Sequence, residues 1–246
     1  MKKILLVSGC SWGDKNFQSL YHQDMDCSWP KWCDLLAEKL DMQLVNLCKM
    51  GAGNEYIYSS LFDYITTNDT KNIGLVLAAW SQCQRRDFAK DDKWTNYRID
   101  TTGDVLYWIK KSLRYMKSFE LLCENYNLNY KHFQMIQLYK DIMSGLRPGE
   151  WEILKGTYDK KHRHQVVENK EETYQKIIKI LMNFEPLTDK NFIGWPIDEK
   201  IGGFSFNNFL EEWDKISDID RHPNEKGQIK IMELLYDRLG QRLSTQ

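Results

Sequence analysis

The chain has 246 residues, of which 42% are hydrophobic and 28% charged, proportions that suit one sizeable core with an ordinary soluble surface. Its 34 basic and 35 acidic side chains give a formal net charge of -1, which argues against a nucleic-acid partner because such partners require a basic surface. No stretch approaches the ~20 apolar residues of a membrane span, so we expect a soluble, cytoplasmic protein with no membrane partner.

The first part of the chain alternates short apolar runs with helical patterns. Ser28 can cap a first helix, with Pro30 in its first turn, and the glycine turn 51–54 opens a second helix through about residue 65. Three apolar runs predict buried strands: 3–8, 43–48 and 73–80. This alternation predicts an α/β fold, a three-layer α/β/α sandwich around a mostly parallel, flavodoxin-like five-stranded sheet.

The pattern loosens in the second part of the chain. Helices are predicted at 104–128 and 176–184, and Asn224 is placed to cap a final one. Further strands are predicted at 131–139 and 191–196. The charged stretch 145–170 is predicted to be an irregular excursion within a single domain spanning residues 1–246.

The opening stretch MKKILLVSGCSWGD permits three interpretations. Cys10 could be the lipidated residue of a lipoprotein signal, but only Ile4 to Val7 separate Lys3 from Ser8, and a signal needs roughly 7–15 apolar residues there. Gly9 to Gly13 spell the G-x-S-x-G elbow of α/β-hydrolases, which follows an interior strand rather than the first one. A first strand that ends in a turn at Ser11 remains.

Metal and cofactor sites are not predicted. The six cysteines form no C-x-x-C pair, which favours reduced thiols over zinc ligands. His162 and His164 lie in a charged run, where a solvated loop is the simpler interpretation, since a metal site needs converging ligands. The glycine turns match neither the dinucleotide nor the P-loop fingerprint.

Four short blocks follow this framework. Gly9-Cys10-Ser11 follows the first predicted strand, Asn46 to Gly51 end the second, Ala79-Trp80-Ser81-Gln82 end the third, and Asp220-Arg221-His222-Pro223-Asn224 precede the final helix. In this order the blocks resemble those of the SGNH (GDSL) hydrolase superfamily. The resemblance implies Ser11 as nucleophile, His222 as general base and the backbone N–H of Gly51 in an oxyanion hole.

Two blocks depart from that family pattern. The family usually has two residues between the acid and the histidine; here Asp220 leaves one, and we prefer it to Asp218 as the acid. The third block usually reads Gly-x-Asn-Asp, and Ser81 and Gln82 stand in place of its last two residues. A hydroxyl or an amide can donate a hydrogen bond to the oxyanion, so either residue could supply the third donor, and loss of catalysis is the alternative.

These residue types predict a serine-dependent carboxylic-ester hydrolase, because a serine hydroxyl needs a base and the base needs an orienting carboxylate. An O-acyltransferase using the same residues, and a non-catalytic binding or assembly protein of the same fold, stay open. Substrate contacts are predicted from Asn54 and Trp12, with Trp80 and Trp195 as further stacking surfaces for a sugar. The resemblance suggests a small-molecule or glycan acyl ester as substrate. Arg85 and Arg86 could meet an anionic group.

Overall fold

The computed structural model describes residues 2–91, 93–97, 104–139, 169–184 and 190–243. The described residues contain seven strands: β1 (Ile4–Ser8), β2 (Gln43–Asn46), β3 (Ile73–Trp80), β4 (Arg86–Lys90), β5 (Lys93–Tyr97), β6 (Tyr130–Gln134) and β7 (Phe192–Ile193). Their α-helices are α1 (Trp32–Lys39), α2 (Asn54–Thr67), α3 (Val105–Asn125), α4 (Lys170–Asn183) and α5 (Glu225–Leu243). Within these ranges no helix combines the length and the apolar character that crossing a membrane requires.

Five strands form one parallel sheet in the order β2-β1-β3-β6-β7. This is the flavodoxin-like order, so the predicted fold class is confirmed. Successive side chains of a strand point to opposite faces, and β3 shows the result. Val76 and Ala78 belong to the core that contains buried residues of α2 and α3, whereas Leu75 and Leu77 belong to the core shared with α1 and α5. The sheet is therefore the middle of three layers.

The predicted start of the first helix is wrong by a few residues. Helix α1 begins at Trp32 with Lys31 as its N-cap, whereas the backbone N–H of Ser28 donates to Asp26 in a preceding turn. Lys31 is 1% exposed, and its ammonium group donates to the carbonyl oxygens of Cys27 and Trp29. The buried ammonium group thus donates to two carbonyl groups of the turn in which Ser28 was expected to cap the helix.

An antiparallel hairpin, β4–β5, was not predicted. Its sequence is polar and carries no alternation of apolar residues that would mark strands. Asp87 of β4 is buried and accepts the backbone N–H groups of Gly53 and Tyr56 at 2.9 Å each. Burial raises the pKa of this carboxyl against the lowering effect of those two bonds. The hairpin therefore caps the N-terminus of α2.

Element boundaries differ elsewhere as well. The predicted strands at 131–139 and 191–196 shorten to β6 and β7, because the chain turns away from the sheet after Gln134 and Ile193. Helix α4 begins six residues earlier than the predicted 176. Asn224 caps α5 as predicted, its side-chain oxygen accepting the N–H of Gly227 at 3.1 Å. All but the last two residues of the predicted excursion at 145–170 lie outside the described residues.

Two glycines of α5 give a matched test of this packing. A Cβ atom on Gly227 would lie 2.2 Å from the carbonyl oxygen of Asp214, whereas one on Gly240 would meet nothing within 4 Å. We expect Gly227→Ala to lower the free energy of unfolding by about 3 kcal/mol through overpacking, and Gly240→Ala to raise it by up to about 1 kcal/mol. Urea unfolding measures both, and equal effects would contradict the close approach at Gly227.

Candidate active site

The candidate site lies where the central strands end. Ser11 follows β1, Gly51 follows β2 and Ser81 follows β3 directly. These three strands are parallel neighbours, so the turns that follow them lie at one edge of the sheet. Ligands bind at this edge in open α/β folds. The topology therefore brings three of the sequence-predicted residues to one edge.

A hydrogen bond joins Ser11 to His222, which precedes α5 near the other end of the chain. The Ser11 Oγ and His222 Nε2 atoms are 2.9 Å apart, and the opposite ring nitrogen, Nδ1, is 2.5 Å from Asp220 Oδ1. A carboxylate beside Nδ1 favours the tautomer with its proton on that nitrogen, so Nε2 can accept the proton of the serine. The ring of Phe17 lies against His222 with a centroid distance of 4.4 Å.

Asp220, rather than the exposed Asp218, is the carboxylate in contact with His222. Because only one residue separates the pair, Asp220 Oδ1 also accepts the backbone N–H of His222 at 3.2 Å. The other oxygen, Oδ2, accepts the hydroxyl of Ser19 at 2.5 Å. Burial raises the pKa of Asp220, but the bonds from His222 and Ser19 together outweigh burial and hold the pKa below its usual value.

Sequence reasoning missed the segment that contains Ser19. The Ser19 oxygen accepts the backbone N–H groups of Tyr21 and His22. The ring of His22 lies 2.8 Å from the hydroxyl of Ser217, which in turn accepts the N–H of Asp220. Isolated polar residues in a loop show no periodicity, so the sequence carried no signal for these contacts.

The turn that carries Gly51 is tied to the turn that carries Ser11. Gly51 has a φ of 79°, a left-handed conformation that glycine adopts at no steric cost. The buried carboxylate of Asp14, three residues after Ser11, accepts the N–H of Met50 at 2.7 Å. The N–H of Lys49 also donates to the carbonyl oxygen of Gly9 at 3.0 Å. These bonds fix the position of the Gly51 peptide relative to Ser11.

Asn54 does not present a free amide to a substrate, contrary to prediction. Its side-chain oxygen accepts the N–H of Ser81 at 2.8 Å, and its nitrogen donates to the carbonyl oxygen of Ser81 at 3.2 Å and to Ser112 at 3.0 Å. The Asn54 side chain is 3% exposed. It joins the end of β3 to α2 and α3.

The two candidate third donors have different surroundings. Ser81 is 0% exposed, and its hydroxyl has no hydrogen-bond partner among the described residues. Gln82 is half-buried, and its side-chain oxygen accepts Nε–H of Arg85 at 3.2 Å. Arg85 also donates to the carbonyl oxygen of Ala52 at 2.9 Å, so its guanidinium group holds the third block against the glycine turn. Arg86 is exposed on β4.

The tryptophans do not form the expected stacking surface. Trp12 is 4% exposed within the core beneath α1 and α5, and Trp80 is 0% exposed and donates to His132 at 3.0 Å. Trp195 is half-buried and packs on Phe192 with a centroid distance of 5.2 Å. Burying these large apolar rings in the core lowers the free energy more than exposing them at a cleft would.

Cys10, next to Ser11 in the chain, is also buried, at 1% exposed.

Comparisons with known proteins add little to this geometry. No protein-family model and no curated protein sequence matches the chain. The chain is similar to the structure of a psychrotrophic esterase from Pseudoalteromonas sp., with 13% identity and a TM-score of 0.49 over 98% of this chain and 99% of that one. It is also similar to a G-D-S-L family protein from Desulfitobacterium hafniense DCB-2, with 10% identity and a TM-score of 0.46 over 97% and 99%.

The contacts of Asn54 give a test of its role. We expect Asn54→Ala to lower the free energy of unfolding by about 2 to 4 kcal/mol, because it leaves the buried N–H and carbonyl groups of Ser81 without this partner. Urea unfolding measures the loss, with Asn125→Ala at the exposed end of α3 as control. A stability equal to that of the unchanged protein, with weaker binding of an ester, would restore Asn54 as a substrate contact.

Proposed function

We propose that the protein is a serine-dependent carboxylic-ester hydrolase of the SGNH type. One observation carries the proposal: the Ser11 hydroxyl, the His222 ring and the Asp220 carboxylate form a continuous hydrogen-bonded series at the sheet edge. Each of the three is individually common, but a serine bonded to the imidazole nitrogen opposite a buried carboxylate is the arrangement that activates a hydroxyl for attack. Residues from both ends of the chain meet to form it.

The proposed reaction proceeds through an acyl-enzyme. Ser11 Oγ attacks the ester carbonyl carbon while His222 Nε2 takes the hydroxyl proton, and Asp220 stabilises the resulting imidazolium. The tetrahedral intermediate then collapses, and His222 returns the proton to the departing alcohol. A water molecule, deprotonated by His222, attacks the acyl group in the same way and releases the acid. In the first half of the reaction the Ser11 proton thus reaches the departing alcohol. In the second half, the proton taken from water returns to Ser11 Oγ.

The developing oxyanion needs hydrogen-bond donors. We assign two of them to the backbone N–H groups of Ser11 and Gly51, whose turns are fixed to one another through Asp14. For the third we favour Gln82 over Ser81. The Gln82 side chain is half-buried and its amide N–H can donate, whereas the Ser81 hydroxyl is fully enclosed.

Small acyl esters are the substrates that the surroundings of Ser11 support best. The glycan alternative was suggested by the resemblance, and the rings of Trp12 and Trp80, which were expected to stack on a sugar, are both buried. Ser11 itself is 4% exposed, whereas the His222 side chain is 31% exposed, so approach to the nucleophile passes beside the imidazole. A short acyl group meets fewer obstacles on this path than a bulky one.

A fluorophosphonate probe tests the nucleophile. We expect the probe to label the protein and Ser11→Ala to abolish labelling, because phosphonylation requires the hydroxyl that His222 activates. Cys10→Ala is the matched control, since Cys10 is adjacent in the chain while it is the Ser11 hydroxyl that is hydrogen-bonded to His222, and it should leave labelling intact. Intact-protein mass spectrometry measures the adduct. Labelling that survives Ser11→Ala and vanishes in Cys10→Ala would make the cysteine the nucleophile.

Hydrolysis of p-nitrophenyl acetate distinguishes the two candidate third donors. We expect Gln82→Ala to lower kcat by about 10²–10³-fold with little change in KM, because the contact forms mainly in the transition state. Ser81→Ala should be nearly silent, since it removes an enclosed hydroxyl that has no partner among the described residues. The reverse pattern would transfer the role to Ser81, and two silent variants would leave only backbone donors.

A further inference from the structure

Ser19 makes a contact that the proposed mechanism has not used. It is 2% exposed, and its hydroxyl reaches across 201 positions of the chain to Asp220. We infer that Ser19 is a positioning residue: it fixes the free oxygen of the Asp220 carboxylate, and through Asp220 it fixes the ring of His222. The inference rests on the proposed function and adds a fourth residue to it.

The direction of the Ser19 hydrogen bond follows from its other contacts. The backbone N–H groups of Tyr21 and His22 can only donate, and both point at the Ser19 oxygen, at 3.2 and 3.0 Å. Their two bonds use the acceptor capacity of the hydroxyl, whose single proton then goes to Asp220 Oδ2. Ser19 is thus a committed donor, and it favours the ionised form of the carboxylate.

The short spacing between Asp220 and His222 explains why such a donor matters. With one intervening residue, Asp220 Oδ1 receives both the ring N–H and the backbone N–H of His222. Both bonds lie on one oxygen, so they leave the other oxygen without a partner from the same loop. A buried carboxylate oxygen without a hydrogen bond is costly, and Ser19 supplies the missing bond from a different part of the chain.

Two further contacts join the same segments. The ring of His22 lies 2.8 Å from the hydroxyl of Ser217, which accepts the backbone N–H of Asp220 at 3.0 Å. Phe17 covers one face of the His222 ring. Segment 17–22 therefore contacts the Asp220 carboxylate, the Ser217 hydroxyl and the His222 ring. Ser19 is the contact among these that acts on charge.

Among the described residues, the titratable groups facing Asp220 are His222 on its own loop and, through Ser217, His22 on the opposing segment. Burial raises the pKa of Asp220, and the bonds from His222 and Ser19 lower it. Removing the Ser19 bond leaves the effect of burial less opposed, so the pKa of Asp220 rises. The ionised Asp220 carboxylate supports activity at pH values above its pKa and is lost as the pH falls through that pKa. With a higher pKa, activity should therefore be lost at a higher pH.

The test compares Ser19→Ala with Ser19→Thr, which keeps the hydroxyl. For p-nitrophenyl acetate we expect Ser19→Ala to lower kcat by about 10- to 100-fold, the size of a hydrogen bond to a charged group, with KM nearly unchanged. The acid limb of its pH profile, which reports the Asp220–His222 pair as a unit, should move to higher pH. Ser19→Thr should restore both, and Ser28→Ala, exposed in the same loop, should match the unchanged protein.

Circular dichroism melting checks that each variant folds, and Ser19→Cys, nearly the same size with a weaker donor, replaces any variant that does not. The inference is overturned if Ser19→Ala keeps the kcat and the acid limb of the unchanged protein. It is also overturned if both alanine and threonine variants lose kcat at all pH values without a shift of the limb, since that is the result of a purely structural role.

A measurement without substrate separates this inference from the proposed function. The proton shared by His222 Nδ1 and Asp220 should give a low-field ¹H NMR signal, assigned by its loss in His222→Gln. We expect Ser19→Ala to shift that signal and Ser28→Ala to leave it in place. A shift in a protein that neither binds fluorophosphonate nor hydrolyses esters would support the role of Ser19 and refute the esterase. Esterase activity with an unmoved signal and an unmoved acid limb would do the reverse.

Discussion

The hydrogen bond between Ser11 and His222 is the constraint on which the candidate site depends. It joins two residues separated by 211 positions, so the fold must bring both of them to the same place. Ser11 follows β1, which has a parallel neighbour on both sides and is therefore a rigid base. His222 precedes α5, whose cap residue Asn224 also donates to the carbonyl oxygens of Trp213 and Lys215. Both ends of the bond are therefore held in place.

Buried carboxylates fix the neighbouring turns in a related way. Asp14 accepts the N–H of Met50, and Asp87 accepts the N–H of Gly53, so the turn that carries Gly51 is held from both sides. A donor that is fixed before the reaction needs no reorganisation when charge develops on the oxyanion. The hairpin β4–β5, which supplies Asp87, is therefore part of the support of this turn although it lies outside the main sheet.

The sequence predicted best those features that are set by local chemistry. The strands β1 and β3 were predicted within one residue, because strands buried on both faces are continuous apolar runs, and the cap Asn224 was predicted from its position before a helical pattern. Long-range contacts carried no such signal. The bond from Ser19 to Asp220 joins an ordinary loop serine to a distant loop, and the Asp14 and Asp87 contacts are of the same kind.

The prediction that Trp12 contacts the substrate was wrong because a position at the end of a strand does not distinguish a ring at a cleft from a ring in a core.

The separation of Ser11 from His222 also has a consequence for the synthesis of the chain. Translation proceeds from the N-terminus, so the turn containing Ser11 leaves the ribosome long before the imidazole that faces it has been made. Without that base the Ser11 hydroxyl is as unreactive as any other serine. Closing such a long loop is a late and entropically costly step of folding. A nascent chain therefore carries its proposed nucleophile in an inert form until the segment containing His222 has been made and has folded against it.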